Sequence, residues 1–286
     1  MLAEKAWNHG SADCANANKP AIEIFEVDSA NYILRQDKCV HVEAPFIYVL
    51  FGETSVLVQD TGATADPSRF PLYDTVQALI ARRGGKQPRI LVTHSHSHGD
   101  HTAADAQFRG KPGVTLIEPN AAAMRAYFGF SDWPAGQALI DLGGRTLTVI
   151  PTPGHQDDGI AIYDAQTDWL LTGDSLYPGR LTIKNWNEYR SSIARLAQFA
   201  SANPISAVLG THIEMSRTGQ LYPPGSRFQP DEANLALTGE DLSILNASLQ
   251  AVGTKPKEIV LARAVVVPIG ATQRVLGGIL KSLGVR

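Results

Sequence analysis

Apolar residues fall along the chain in two rhythms. Short runs rich in β-branched and aromatic residues, at 21–27, 32–35, 46–51 and 55–59, read as strands, and the turn Asp60-Thr61-Gly62 ends the last of them. From 71 to 83 the apolar positions Leu72, Val76, Leu79 and Ile80 take helical spacing, which Gly84-Gly85 stops. Residues 90–92 then read as a short buried strand and 102–108 as a helix. A strand at 114–117 and a helix at 120–128 follow, then hairpins at 138–142 with 146–150 and at 160–163 with 169–171. An amphipathic helix at 186–200 and a strand at 205–209 continue the alternation. Residues 214–238 hold Pro223, Pro224, Gly225 and Pro230 and read as a long irregular loop, a length usually tied to function or disorder. A helix at 241–251 and a last strand pair or extension at 258–267 complete the pattern. With no internal repeat or linker, residues 1–286 are expected to form one α/β domain of two packed sheets, with an N-terminal arm over about the first 20 residues.

Composition narrows the function. The chain has 286 residues, 44% of them hydrophobic, enough for a sizeable core. A net charge of −3 and a pI near 6.2 give no support to nucleic-acid binding. The densest basic group, Arg82, Arg83, Lys86 and Arg89, sits at the end of a helix, where cations suit the dipole. No apolar run approaches the ~18 residues of a membrane helix, so a membrane partner is not expected either. The N-terminus lacks the basic-then-apolar order of a signal peptide, although Leu2-Ala3-Glu4 is compatible with the stub of a cleaved leader. Cys14 and Cys39 suit one disulfide in an oxidising compartment or two separate thiols in a reducing one. Compartment and oligomeric state stay open.

The chemistry is concentrated in Thr93-His94-Ser95-His96-Ser97-His98-Gly99-Asp100-His101, which holds four of the eight histidines. In an extended segment His96 and His98 project to the same side. Asp100 and His101 follow after a turn, a spacing that can feed imidazoles to one ion and a carboxylate with an imidazole to another. His94 keeps the same alternation, but starting the pattern His-x-His-x-Asp-His there would put His98 where the carboxylate belongs. His94 is therefore expected to be a hydrogen-bonded structural histidine at the end of a buried strand. Four side chains cannot close two tetrahedral sites. Three strand ends offer the remainder: His155 in a Pro/Gly turn, Asp174 after Leu171-Thr172-Gly173, and His212 after Leu209-Gly210-Thr211.

This set, in this order, resembles the metallo-β-lactamase-fold superfamily of metal-dependent hydrolases, over about residues 45 to 215. The resemblance implies an αββα sandwich of two mixed sheets flanked by helices, with the site at one edge. It implies that His96, His98 and His155 hold one ion, that Asp100, His101 and His212 hold the other, and that Asp174 bridges them. Asp60, in the Asp-Thr-Gly turn, would brace a ligand from behind.

Imidazoles with hard carboxylates suit two zinc ions, with iron or manganese as substitutes. Two divalent ions, two carboxylates and a bridging hydroxide leave about +1, a charge that favours an oxyanion. Asp100, beside the nucleophile, is expected to handle the proton going to the leaving group. The bridging aspartate argues against a dedicated β-lactamase. Tyr177, three residues after Asp174, resembles a substrate-facing tyrosine of the lactonases in the same superfamily. The family's usual Gly-His-Thr-x-Gly-Ser is replaced by Gly154-His155-Gln156-Asp157-Asp158-Gly159, where Asp157 and Asp158 read as solvated turn residues. The aromatic-rich stretch 124–133 and the loop around Tyr222 are candidate pocket walls. The substrate expected is a small, fairly apolar ester, lactone or thioester. The alternatives are a β-lactam, a phosphodiester, or a non-hydrolytic iron-dependent oxygenase reaction.

Overall fold

The structure, a computed structural model, describes residues 2–270; the end of the expected domain, 271–286, lies outside the described residues. Strands β1 (Ile22–Asp28), β2 (Asn31–Gln36), β3 (Phe46–Phe51) and β4 (Ser55–Gln59) form an antiparallel meander. Helix α1 (Leu72–Arg83) crosses to β5 (Arg89–Thr93), and the single turns α2 (Gly99–Thr102) and α3 (Asp105–Phe108) cross to β6 (Val114–Leu116), both strands adding in parallel. After α4 (Ala121–Phe128), a second antiparallel meander runs through β7 (Ala138–Asp141), β8 (Thr146–Pro151), β9 (Ile160–Asp164) and β10 (Trp169–Gly173). Strand β11 (Gly179–Ile183) leaves that sheet. Beyond α5 (Trp186–Ala202), β12 (Ala207–Gly210) lies parallel to β10, and β13 (Ala236–Leu237) pairs with it. Helix α6 (Gly239–Val252) precedes β14 (Ile259–Val260) and β15 (Ala264–Pro268), and β15 pairs in parallel with β11.

Three apolar layers make this the expected αββα sandwich. Ile33, Tyr48, Leu50 and Leu57 of the first sheet share one core with Ile140, Leu147, Val149, Ile162 and Leu171 of the second. The alternate positions of the first sheet, Leu34, Val49, Val56 and Val58, pack under α1. Strand period 2 thus sends neighbouring residues into different layers, which is why β2 to β4 are buried on both faces. The four apolar residues that suggested α1 are all buried there, each contributing about 1.5–3 kcal/mol. On the far side, Ile150, Ala161, Leu170 and Val208 pack against Tyr189, Ile193 and Leu196 of α5 and Leu242, Leu245 and Leu249 of α6.

Polar groups link the two sheets at the end opposite the histidine cluster. Arg145 is buried at the β7–β8 turn and donates to both oxygens of Asp164, to Asn31 Oδ1 at 2.6 Å and to Phe51 O at 3.0 Å. It therefore ties the second sheet to the β1–β2 and β3–β4 turns of the first.

The structure corrects several expectations. The helix expected over 102–108 is two separate turns, the first beginning at Gly99. The reason is tertiary: Thr61 N donates to His101 O at 2.7 Å and Ala103 N to Gly62 O at 3.0 Å, so the Asp-Thr-Gly turn takes bonds that a continuous helix would make. A third sheet, β11-β15-β14, stands beside the two anticipated ones. The stretch 214–238 is anchored rather than loose: Met215 and Leu235 are buried, and Glu232 makes a two-pronged ion pair with buried Arg35, both contacts at 2.6 Å. The N-terminal arm pairs with this stretch through Ser11 N to Arg227 O and Gln229 N to His9 O. A Cys14–Cys39 disulfide, Cα atoms 5.2 Å apart, fixes the arm to the segment after β2.

Candidate metal centre

Four strand ends deliver the cluster. The first sheet supplies His96, His98, Asp100 and His101 from the segment leaving β5. The second supplies His155 after β8, Asp174 after β10 and His212 after β12. Gly173, at φ +53°, lets β10 turn there, and a Cβ on it would lie 2.6 Å from Ser95 Cβ. The sheets can approach at this point because that position carries no side chain.

Two groups of donor atoms result, His96, His98, His155 with Asp174 and Asp100, His101 with His212, each with its atoms within 4.8 Å of one another. His96 Nε2, His98 Nδ1 and His155 Nε2 converge, His98 Nδ1 standing 2.9 and 3.0 Å from the other two. Asp174 Oδ2 is 3.7 Å from His96 Nε2 and 3.4 Å from His155 Nε2. Its other oxygen, Oδ1, is 3.7 Å from His101 Nε2 and 3.4 Å from His212 Nε2. Asp100 Oδ2 completes the second group at 3.4 Å from each of those two nitrogens.

The opposite nitrogen of each ring is held from behind, which fixes its orientation. Asp60 Oδ2 lies 3.0 Å from His101 Nδ1, and Asp60 also accepts from Ser95 N at 2.6 Å and Ser95 Oγ at 2.9 Å. Asp60 does this from φ +71°, a left-handed conformation that aspartate adopts more readily than most residues other than glycine. Thr182 O stands 2.6 Å from His155 Nδ1, Glu43 O 3.1 Å from His212 Nδ1, and Ser95 Oγ 3.1 Å from His96 Nδ1. Thr211 Oγ1 donates to Asp174 Oδ1. The side-chain amide of Gln156 meets His98 Nε2. Gln156, the residue that departs from the family pattern, is thus the support of a cluster histidine.

Burial, with His155 alongside, holds His98 down to about 4, and burial with His101 alongside holds His96 well below its usual range. These shifts favour the unprotonated imidazole, the form that can bind a metal ion. In the second group burial opposes charge, but Asp100, Asp60 and Asp174 push His101 up, and Asp174 and Asp100 raise His212 to about 9. Burial works against ionisation of Asp174, yet His212 and His101 keep it charged.

His94 is buried but stands apart from both groups, with Nε2 2.8 Å from Asp105 Oδ1, which also accepts from Thr61 Oγ1 at 2.7 Å. Tyr177 lines the site cavity with its ring 5.3 Å from that of His212. Its hydroxyl donates to Arg180 O at 2.6 Å and lies 3.2 Å from Glu214 Oε2, so donation to a substrate would require giving up the first bond. Asp157 is solvated and paired with Lys184 at 2.7 Å, as a turn residue should be. Asp158 is not: it is buried and accepts from Ser97 N at 3.3 Å. None of residues 124–133 lines the site, because Phe128, Phe130 and Trp133 pack against the inter-sheet core instead.

The cavity over the cluster holds about 450 Å³ and is lined, besides the cluster, by His41, Glu43, Arg180, Thr182 and Glu214. These polar residues stand where an apolar wall was expected from the sequence. A smaller cavity of about 100 Å³ adjoins it across Glu43, Arg180 and Glu214, and the loop around Tyr222 forms its outer wall. Sequence reading passed over Arg180 and Glu214 because each is isolated. The available signal was position: Glu214 stands two residues after His212, and Arg180 six after Asp174.

Residues 42–212 match the metallo-beta-lactamase superfamily, and the chain belongs to it. The chain is 32% identical over 149 residues to a hydroxyacylglutathione hydrolase of Rhizobium meliloti, a match covering 49% of this chain and 56% of that protein. It is 27% identical over 218 residues to the acyl-coenzyme A thioesterase MBLAC2 of Gallus gallus, covering 64% of this chain and 77% of the other. In structure it resembles a metallo-beta-lactamase from Pontibacter korlensis, with a TM-score of 0.54 at 20% identity over 80% of this chain and 99% of the other. The relatives that share sequence with it are named as hydrolases, and the clustered His and Asp donors are groups that could hold metal ions.

Proposed function

We propose that the chain is a binuclear metal-dependent hydrolase of small acyl compounds, thioesters first, with esters and lactones after them. One observation carries the reading: the two oxygens of Asp174 face different donor groups. A carboxylate so placed can bind two ions at once. The spacing supports the fit, since donors around a tetrahedral ion with bonds of about 2.0–2.1 Å stand roughly 3.3 Å apart. The separations here run from 2.9 to 3.7 Å. Two imidazole nitrogens within about 3 Å of a third, His98 Nδ1, also repel it unless a proton or cation lies among them, and the low proton affinity of His96 and His98 favours the cation.

His96, His98 and His155 would hold one ion, Asp100, His101 and His212 the other, and Asp174 both. Imidazole with carboxylate suits zinc. Bound ions of this kind make water acidic and polarise a carbonyl. Asp60, Gln156 and the carbonyls of Glu43 and Thr182 would keep the rings aimed. Asp100 borders the cavity and is the group placed to pass a proton to the departing atom. Hydrolysis consumes one water: the acyl carbon gains its oxygen, the C–S or C–O bond breaks, and the leaving sulfur or oxygen takes a proton. Thioesters rank first because both relatives above, the hydroxyacylglutathione hydrolase and the acyl-coenzyme A thioesterase, are named for cleaving them.

The test is metal analysis of the purified protein with a panel of thioester, ester, lactone, β-lactam and phosphodiester substrates. About two zinc per chain with thioester turnover is the result expected. One iron per chain with no hydrolysis would overturn the reading.

A further inference from the structure

The adjoining cavity carries two cations whose charge is not spent within the protein. Lys38 is 2% exposed, and its ammonium has a single acceptor among the described residues, Val42 O at 3.1 Å. An ammonium has three donors, and although Glu232, Glu214 and Glu43 attract this one, none of them pairs with it directly among the described residues. Arg180 lines both cavities, and its guanidinium has no hydrogen-bond or ion-pair partner among the described residues. Of the acidic neighbours, one is engaged elsewhere and two share the lining of the cavity. Glu232 is taken by Arg35 through both its oxygens. Glu214 Oε2 accepts from Arg180 N at 2.9 Å and stands beside the Tyr177 hydroxyl. Glu43 is exposed.

We propose that this second cavity is a subsite for a carboxylate carried on one arm of the acyl substrate, with Arg180 at its entrance and Lys38 at its base. The inference rests on the acyl-hydrolase reading of the metal centre. A guanidinium offers a carboxylate a planar fork, and a buried ammonium completes it as a point charge. About 100 Å³ suits a carboxylate with a short methylene stem rather than a bulky head group. Much of its wall lies outside residues 42–212, which match the family: the Leu221–Gln229 loop, the arm paired to it, and the segment that the disulfide holds next to Lys38.

The experiment uses the metal-loaded protein and two readouts. The first compares kcat/KM for neutral S-acetyl-N-acetylcysteamine with S-acetyl thioesters of mercaptocarboxylates of increasing length, and with S-glutaryl-N-acetylcysteamine. At least one carboxylate should be favoured. Arg180→Gln and Lys38→Met should each lower the anionic-to-neutral ratio by about 10- to 100-fold, while Arg180→Lys retains most of it. The ratio cancels any general loss of turnover. The second readout is calorimetric binding of 3-(propylthio)propionate against its methyl ester, which needs no hydrolysis. The acid should bind more tightly, and the gap should close in Arg180→Gln and Lys38→Met. Equal ratios and equal binding in wild type and variants would overturn the subsite, as would a thioester of 2-mercaptoethyl phosphate preferred over every carboxylate. Retained binding preference with no thioester cleaved would overturn the reaction assignment and leave the subsite standing.

Discussion

Two cavities meet at Arg180, and they are built on opposite plans. Over the cluster, almost every polar atom is held: ring nitrogens, both oxygens of Asp60 and both of Asp174 have partners within hydrogen-bonding or ligating range. Next door, Lys38 and Arg180 keep spare donors. A reacting centre has to be preorganised, because error in position there is lost as rate. A recognition surface instead has to leave something for the ligand to complete.

The sharpest way to break the contrast is at Asp174. Asp174→Asn should lose metal from both groups and reduce thioester turnover at least 1000-fold, on the order of the loss when a principal catalytic charge is removed. Metal analysis beside the rate measurement checks this, and normal values of both would remove Asp174 from the centre. His98→Ala should strip metal, whereas His94→Ala should retain it and instead lose about 1–3 kcal/mol of stability through the stranded Asp105 carboxylate. Equal metal loss in the two variants would mean the ligand set is drawn wrongly.

Reducing the Cys14–Cys39 bridge should cost about 3 kcal/mol of stability, from the loop it closes in the unfolded chain. Denaturant melts with and without reductant measure it, alongside thiol titration of the unreduced protein. Lys38 tests the second cavity. Burial and Arg35 lower it to about 8, against the pull of Glu232, Glu214 and Glu43. A lysine so depressed destabilises the fold while protonated, and stability recovers as pH rises from about 8 towards its unfolded value near 10.4. The stability of wild type relative to Lys38→Met should therefore improve by about 2 kcal/mol between pH 7 and 9.5, and a constant gap would place the ammonium in water. The smallest effect is expected at Tyr177. Tyr177→Phe removes a bond to Arg180 O and should cost about 1 kcal/mol of stability and a few-fold in rate. A loss beyond 100-fold with metal intact would make the hydroxyl a substrate donor.

Much of this was legible because it repeats or clusters. Strands β3, β4, β9 and β10 are continuous apolar runs, and period 2 sends their residues into two separate cores. The seven candidate ligands lie in short motifs at strand ends, and the structure draws all of them into the two donor groups. What escaped depends on partners distant in the chain. Strand β11 is Gly-Arg-Leu-Thr-Ile, too short and mixed to announce itself, and it exists by pairing with β15 some 80 residues later. Asp158 looks like a twin of Asp157, yet only a contact with Ser97 distinguishes them. Lys38 and Arg180 have no local pattern, because their meaning lies in what fails to neutralise them.

Arg145 has a consequence for how such a chain can change over time. The filling between the sheets is apolar and of interchangeable shapes, so exchanges of similar volume cost little and leave no fixed reference for how one sheet lies over the other. Directional contacts supply that reference, at the Arg145 clamp on one end and at the histidine–aspartate cluster on the other. Between those two fixed points the interior is free to drift, residue by residue, without carrying the half-sites apart. The clamp, remote from any reaction, is thereby one of the places where drift should be least permitted.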